Sequence, residues 1–414
     1  MTDARPHDLV LYGATGFVGR LLAAHLAEHA PPGTRIALAG RSRERCEAVR
    51  RELPGAARDW PVLTADSGDP ASLAALAAQT RVLVSTVGPY LRHGLPLVEA
   101  CARAGTHYAD LTGEVLFVRQ AIDRVDAVAQ ETGARIVHAC GYDSVPSDLA
   151  TLLLAERAAA DGAGPLRDVR LVATARGGVS GGTIDSARAQ LEAVGRDRAL
   201  RRVLADPFAL SPDRAAEPDT PQPRDAAPPA RTPDGRWTAP FVMASFNSRV
   251  VRRSNALQGW RYGRGLSYGE VMGTGRGLPG ALAALGTTAA LAGAFGALSL
   301  PPARGVLDRL LPAPGTGPGA AARERGWFRM VVDAGTGDGR SYRATAAGRG
   351  DPGYAATAVM LGQSALALAL DGDRLPARAG SLTPATALGG VLVERLRAAG
   401  HTYEVSPAGD RRDG

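Results

Sequence analysis

An apolar run at residues 9–12 passes directly into Gly13-Ala14-Thr15-Gly16-Phe17-Val18-Gly19 and then into a helical pattern, and this junction constrains the fold more than any other feature of the chain. Three glycines at the start of a helix are unfavourable unless the backbone must turn tightly or approach something closely. Gly13 permits the strand-to-helix turn, Gly16 lets backbone N–H groups approach a pyrophosphate, and Gly19 lets helix and strand pack against each other. The spacing is GxxGxxG, in the strand–turn–helix context that a dinucleotide loop requires.

The same alternation continues as far as about residue 148. Short apolar runs at 9–12, 36–39, 62–65, 82–86 and 136–139 read as strands, and amphipathic stretches at 18–29, 43–52, 71–78, 95–104 and 115–131 read as helices. The expected fold class is α/β, with a Rossmann-type doubly wound parallel sheet over residues 1–148 and a second, α+β substrate domain over 149–380. Within the second domain, residues 206–240 hold nine prolines among Asp, Arg and Ala and read as a disordered or irregular insertion. Residues 312–326 read as a second loop of that kind. Residues 278–300 carry no formal charge between Arg276 and Arg304, which is long enough for a membrane span. Three readings stand for that segment: a buried helix or hairpin, a membrane-surface or acyl-chain-facing element, and a true span.

Composition narrows the chemistry. The formal charge is +7, yet the chain has no lysine, so all of its ammonium-type positions are arginines that stay protonated. Schiff-base enzymes, GK[ST] phosphate loops and Tyr-x-x-x-Lys dehydrogenases are thereby excluded. Nucleic-acid binding is not expected, because aromatics make up 5% of the chain and the arginines are dispersed. Cys46, Cys101 and Cys140 form no CxxC pair, and the polar start carries no readable secretory signal; both fit a cytoplasmic location. No His/Cys/Asp cluster has metal-ligand spacing, so no metal is expected, and a hydrolase is not the expected class.

The end of the second strand selects the cofactor. Where an NAD-binding chain carries a carboxylate for the ribose 2′-hydroxyl, this one reads Ala39-Gly40-Arg41-Ser42-Arg43. Two guanidiniums and a hydroxyl suit a 2′-phosphate through charge-assisted hydrogen bonds, so NADP(H) is expected. Asp66 has two readings, a contact to the adenine amino group or a cap for the helix starting near Pro70. Thr86, Val87, Gly88 and Pro89 follow the fourth strand, where a ligand crossing the carboxyl edge of the sheet lies.

With these residues in place the chain resembles the saccharopine dehydrogenase-like oxidoreductases, through the glycine loop, Thr86-Val87-Gly88-Pro89-Tyr90, the run His107 to Glu114, and the run Cys140 to Asp148. Gly178-Val179-Ser180-Gly181-Gly182-Thr183, Gly350-Asp351-Pro352-Gly353-Tyr354 and the run Leu382 to Gly389 are most similar to the trans-acting enoyl reductase branch. The resemblance implies reduction of an enoyl thioester held on an acyl carrier protein or polyketide synthase, in lipid assembly. It also implies that residues 381–414 return to the nucleotide domain. A homodimer and peripheral contact with the inner face of the plasma membrane are further expectations. The chain departs from the family pattern at His93, where an aromatic is expected, and at Tyr142, where phenylalanine is usual.

A proton source is needed beside the hydride donor, and Tyr142, Asp143 and His93 are the candidates. Each has a structural alternative: packing for Tyr142, a helix N-cap for Asp143, a solvated loop position for His93. Arginines at 196, 198, 201 and 202, and again at 249, 252 and 253, read either as a carrier-docking face or as a solvated surface. The rival functions are an imine-reducing amino-acid oxidoreductase, whose acid–base lysine this chain lacks, and a protein that binds NADPH without turnover.

Overall fold

The computed structural model describes residues 5–178, 180–299 and 317–408. Fourteen strands, numbered in chain order, form two seven-stranded sheets among these residues. The first sheet contains β1 (His7–Tyr12), β2 (Ile36–Gly40), β3 (Val62–Thr64), β4 (Thr80–Ser85), β5 (His107–Asp110), β6 (Arg135–Val137) and β13 (Gly380–Leu382). Its order is β13-β6-β5-β4-β1-β2-β3 and every pairing is parallel. Leu9 pairs with Ile36 on one side and Val82 on the other, so β1 lies centrally, and its residues from Leu9 to Tyr12 are buried on both faces. The chain leaves β1 toward β2 and leaves β4 toward β5, in opposite directions, which opens a crevice at their carboxyl ends.

Helices α1 (Phe17–His29), α2 (Arg43–Glu52), α3 (Pro70–Ala78), α4 (Tyr90–His93), α5 (Leu95–Ala104) and α6 (Val115–Thr132) join these strands. Strand β5 has no counterpart in the sequence reading, because His107 and Asp110 at its ends conceal a core of only Tyr108 and Ala109. Helix α7 (Val145–Ala160) leads into the second sheet, which contains β7 (Leu166–Arg176), β8 (Ala230–Arg231), β9 (Arg236–Pro240), β10 (Ser267–Arg276), β11 (Trp327–Thr336), β12 (Ser341–Arg349) and β14 (Thr402–Pro407). Their order is β14-β12-β11-β7-β10-β9-β8. Helices α8 (Gly181–Arg196), α9 (Arg198–Ala205), α10 (Ala244–Leu257) and α11 (Gly277–Ser299) belong to the same half, with the short α12 (Ala320–Glu324) before β11. A π-turn at Pro352–Ala356 continues into α13 (Thr357–Leu370), which packs on α1, β1, β4 and β5.

Several expectations are corrected by this arrangement. Only β13 of the C-terminal segment joins the first sheet; β14 pairs with β12 of the second, Tyr342 opposite Pro407. Helix α13, placed by sequence in the substrate domain, covers the nucleotide sheet because both of its flanks are apolar enough to be buried. The Pro-rich segment is irregular up to residue 229 and then forms the β8–β9 hairpin. It is held by Arg249, Arg252 and Arg253, which are buried and donate to the carbonyls of Leu204, Asp206, Pro207 and Leu210. A guanidinium fork supplies the donors that a proline-rich backbone lacks. These three arginines therefore form no docking face, whereas Arg196, Arg198, Arg201 and Arg202 are exposed. Helix α11 is not buried: Leu278, Leu282 and Leu285 face water. Residues 300 and 312–316 of the two segments singled out by sequence, and Val179, lie outside the described residues.

Candidate active site

The crevice at the ends of β1 and β4 opens into a cavity of about 550 Å³ between the two sheets. Gly13 has φ +92°, and a Cβ there would stand 2.7 Å from Thr86 Oγ1 and 2.8 Å from Val87 Cγ2. A Cβ on Gly19 would stand 2.2 Å from the Gly13 carbonyl oxygen, which is the close helix–strand approach that glycine alone allows. Gly16 is exposed at the N-cap of α1, its N–H donates to Gly13 O at 3.0 Å, and no side chain caps the helix. The first-turn N–H groups of α1 thus point toward the cavity with the positive end of the helix dipole behind them. Ala14 is buried and offers only backbone, while Thr15, Phe17 and Val18 line the cavity. Thr86 donates from its hydroxyl to Gly13 O at 3.0 Å, tying the two loops together, and Val87, Gly88 and Pro89 continue the wall.

A smaller cleft beside the loop is lined by Thr15, Arg41, Ser42, Arg45 and Asp66. Arg43 is not part of it. Its guanidinium turns to Glu47 at 3.9 Å, one helical turn along α2, and Arg45, which sequence reasoning missed, takes the place. Ser42 caps α2, its Oγ accepting from Arg45 N at 3.3 Å. Asp66 does not cap α3. Asp69 does so, accepting from Ala71 N, and Asp66 instead accepts from Gly68 N at 2.7 Å at the edge of the cleft. An uncapped helix start, a cradle that side chains would fill, and a cleft with two guanidiniums fit the pyrophosphate and 2′-phosphate of NADP(H).

On the substrate side Asp143 lines the cavity, and among the described residues no group hydrogen-bonds its carboxyl; burial pushes its pKa up to about 6. It does not cap α7, whose N-cap is Ser144. Tyr142 is overturned as a candidate. Its ring packs edge-on against Phe328, centroids 5.2 Å apart, its buried hydroxyl has no partner among the described residues, and it does not line the cavity. Both residues lie in the turn between β6 and α7, which sends Asp143 to the cavity and Tyr142 against Phe328. His93 lies at the rim and is exposed.

Glu114, the last residue of the run His107 to Glu114 that carries the family resemblance, holds the wall. Its two carboxylate oxygens accept from Tyr90 N at 2.8 Å and Leu91 N at 2.7 Å, and Ser186 Oγ of α8 donates to it at 2.6 Å. Burial raises its pKa against these three hydrogen bonds. Arg92 and Glu192 pair at 2.7 Å across the same contact, so α8 closes over the cavity. At the start of α8, Gly178 N donates to Asp351 Oδ2 at 3.0 Å and Gly181 N to the Tyr354 hydroxyl at 3.2 Å. The two glycine-rich motifs, 178–183 and 350–354, are therefore halves of one joint: a Cβ on Gly177 would stand 2.3 Å from Asp351 Oδ2.

Comparison with known proteins agrees with this geometry. The family model of the saccharopine dehydrogenase NADP binding domain matches residues 9–137. A trans-acting enoyl reductase of Mycobacterium ulcerans is 48% identical over 95% of this chain and 96% of its own length. The chain belongs to the trans-acting enoyl reductase family. A second member, from Mycobacterium tuberculosis, is 47% identical over 96% of this chain and 97% of its own. Saccharopine dehydrogenase of Saccharomyces cerevisiae shares the fold, with a TM-score of 0.54 over 97% of this chain and 99% of that one, at 12% identity. The first sheet and its loops are accordingly an NADP-binding domain of an oxidoreductase.

Proposed function

We propose that the chain reduces the α,β double bond of an acyl thioester with NADPH, acting in the cytoplasm on a chain held by an acyl carrier protein or polyketide synthase during lipid or polyketide assembly. Bound NADPH supplies the hydride, which adds at Cβ. Gly13, Gly16 and the first turn of α1 would hold its pyrophosphate, and Arg41 and Arg45 its 2′-phosphate. Asp143 delivers the proton to Cα, and Glu114 positions the 88–93 loop beside the nicotinamide end of the cavity. The observation that carries the proton assignment is a cavity-lining carboxyl with no hydrogen-bond partner and a pKa raised to about 6. Tyr90 is a poorer donor, since its hydroxyl is committed to Ser85 O at 2.9 Å and burial raises its pKa well above the ordinary value. Exposed Arg196, Arg198, Arg201 and Arg202 stand on α8 and α9, whose Leu191 and Leu204 line the cavity, and they suit an acidic carrier.

Deuteride from labelled NADPH tests the reaction: label in a saturated acyl chain is the expected result, and label found only in a secondary amine removes the proposal. For Asp143, kcat/KM should fall by about tenfold per pH unit above the pKa, because the protonated acid is the working form. Asp143→Asn should lower the rate by about 100-fold or more and abolish that limb. A variant that keeps the limb would transfer the role to another group.

A further inference from the structure

Helix α11 carries no charged side chain along its 23 residues and is about 35 Å long at ~1.5 Å per residue. Leu278, Leu282 and Leu285 recur at i, i+4 and i+7, so they form one stripe, and they are 72%, 61% and 58% exposed. A helix against water ordinarily turns a polar face outward. The polar side chains of α11 are only Thr287, Thr288 and Ser299, and Thr288 spends its hydroxyl on the Ala284 carbonyl.

The other side of the helix is fixed to the protein. Thr274 Oγ1 donates to Gly280 O at 2.9 Å, a Cβ on Gly280 would stand 2.5 Å from the Gly275 carbonyl carbon, and Ala284 is fully buried. Phe295, eleven residues beyond Ala284, returns to that same side and lines the active-site cavity while remaining 46% exposed. At the N-terminal end Arg276 is exposed and shares the carboxylate of Asp234 with Arg236 of the adjacent hairpin, where Arg231 is also exposed.

We propose that α11 docks the protein on an anionic lipid bilayer, lying in the interfacial plane with its leucine stripe among the acyl chains and the mouth of the cavity at the membrane surface. Anchorage to β9 and β10 through Gly280 and Ala284 keeps the helix on the protein and prevents it from spanning. A second copy of the chain is the less fitting occupant. Protein interfaces surround their apolar centre with hydrogen-bonding groups, and this stripe has none, whereas the cations at its N-terminal end match lipid phosphates. Docking does not depend on the reaction proposed above.

The test is flotation of the full-length protein with phosphatidylcholine vesicles containing phosphatidylglycerol. The unmodified protein should float at low salt. Leu282→Glu and Leu285→Glu should each cut the bound fraction by about tenfold or more, with NADPH binding unchanged. Arg276→Gln should weaken binding by a smaller factor and reduce its salt sensitivity. Failure of the native protein to float, or flotation of Leu285→Glu at the native level, overturns the proposal. So does a dimer in sedimentation velocity that Leu282→Glu dissociates. Vesicle binding without enoyl reduction would sink the reductase reading and leave this one standing; reduction without vesicle binding does the reverse.

Discussion

Among the described residues two helices are long and apolar enough to cross a membrane, and the fold treats them in opposite ways. Over 277–297 only 11% of the apolar stretch is buried; over 352–370 the figure is 78%. Mean hydropathy is nearly equal, 1.5 and 1.4, so transfer free energy alone does not separate them. The difference lies in what each meets. Helix α13 lands on α1 and the first sheet, where Met360, Leu361, Leu366 and Leu368 fill the core. Among the described residues helix α11 packs chiefly on β9 and β10 and under the overhang of α8, which cover one narrow side. An apolar helix is thus a demand for a partner, and the topology decides whether the chain itself supplies one.

The comparison is broken most forcefully by placing a charge in each helix. Leu366→Asp buries an unpaired carboxylate, and we expect loss of the folded state or destabilisation by about 4 kcal/mol or more in urea unfolding. Leu282→Asp, on the exposed stripe, should change stability by no more than about 0.5 kcal/mol. Equal effects would mean that α11 is covered within the folded protein.

Protonation provides the second test, because only α13 packs against a buried base. His25 is pushed down to about 4 by burial, it stacks on His29 with centroids 4.2 Å apart, and its Nε2 lies 3.1 Å from Gln363 Nε2 of α13. Its folded pKa lies below its unfolded value of about 6.5, so the unfolded chain binds the proton first as pH falls. The neutral ring's contribution is complete above pH ~6.5 and is lost progressively down to about pH 4, by up to roughly 3 kcal/mol. His25→Gln should remove that part of the slope in a pH series of unfolding midpoints; an unchanged slope assigns it elsewhere.

The smallest effect discriminates most finely. A Cβ on Gly362 of α13 would stand 2.4 Å from His25 Cδ2, so Gly362→Ala should cost about 1–3 kcal/mol through overpacking. Among the described residues nothing lies within 4 Å of the corresponding atom on Gly286 of α11, and Gly286→Ala should stabilise by about 0.5–1 kcal/mol through helix propensity. Thermal unfolding of the two variants should therefore shift in opposite directions.

The glycine loop was legible in the sequence because its information is local: φ at Gly13 and the contact of Gly19 with the Gly13 carbonyl involve residues within one turn of each other. The strand pattern of the first sheet was legible for the same reason, except at β5, where polar ends hide a two-residue apolar centre, and at the three-residue β13, which reaches the sheet from the far end of the chain. At the small cleft beside the glycine loop the sequence pointed to Arg41, Ser42 and Arg43, and the structure lines it with Arg41, Ser42 and Arg45. Arg43 and Arg45 differ by 200° around α2, and only the position of the helix on the sheet tells which one faces the cleft. Glu114 stood out in the sequence only as part of the run His107 to Glu114, and its contacts were not legible, since its three donors come from residues 90, 91 and 186.

By itself, the sequence determined that the chain would build a parallel nucleotide-binding sheet with a glycine cradle, would lack lysine chemistry, and would carry a second domain bearing an uncharged helix. Each follows from short-range sterics, hydrophobic periodicity or composition. Tertiary structure alone decided that Asp143 faces the cavity while Tyr142 joins the core, that β14 crosses to the second sheet, that Arg249, Arg252 and Arg253 are enclosed, and that α11 stays uncovered while α13 is buried. These outcomes depend on contacts between residues far apart in the chain, 43 positions for Arg249 and Asp206, where burial of one surface competes with burial of another and no local pattern records the winner.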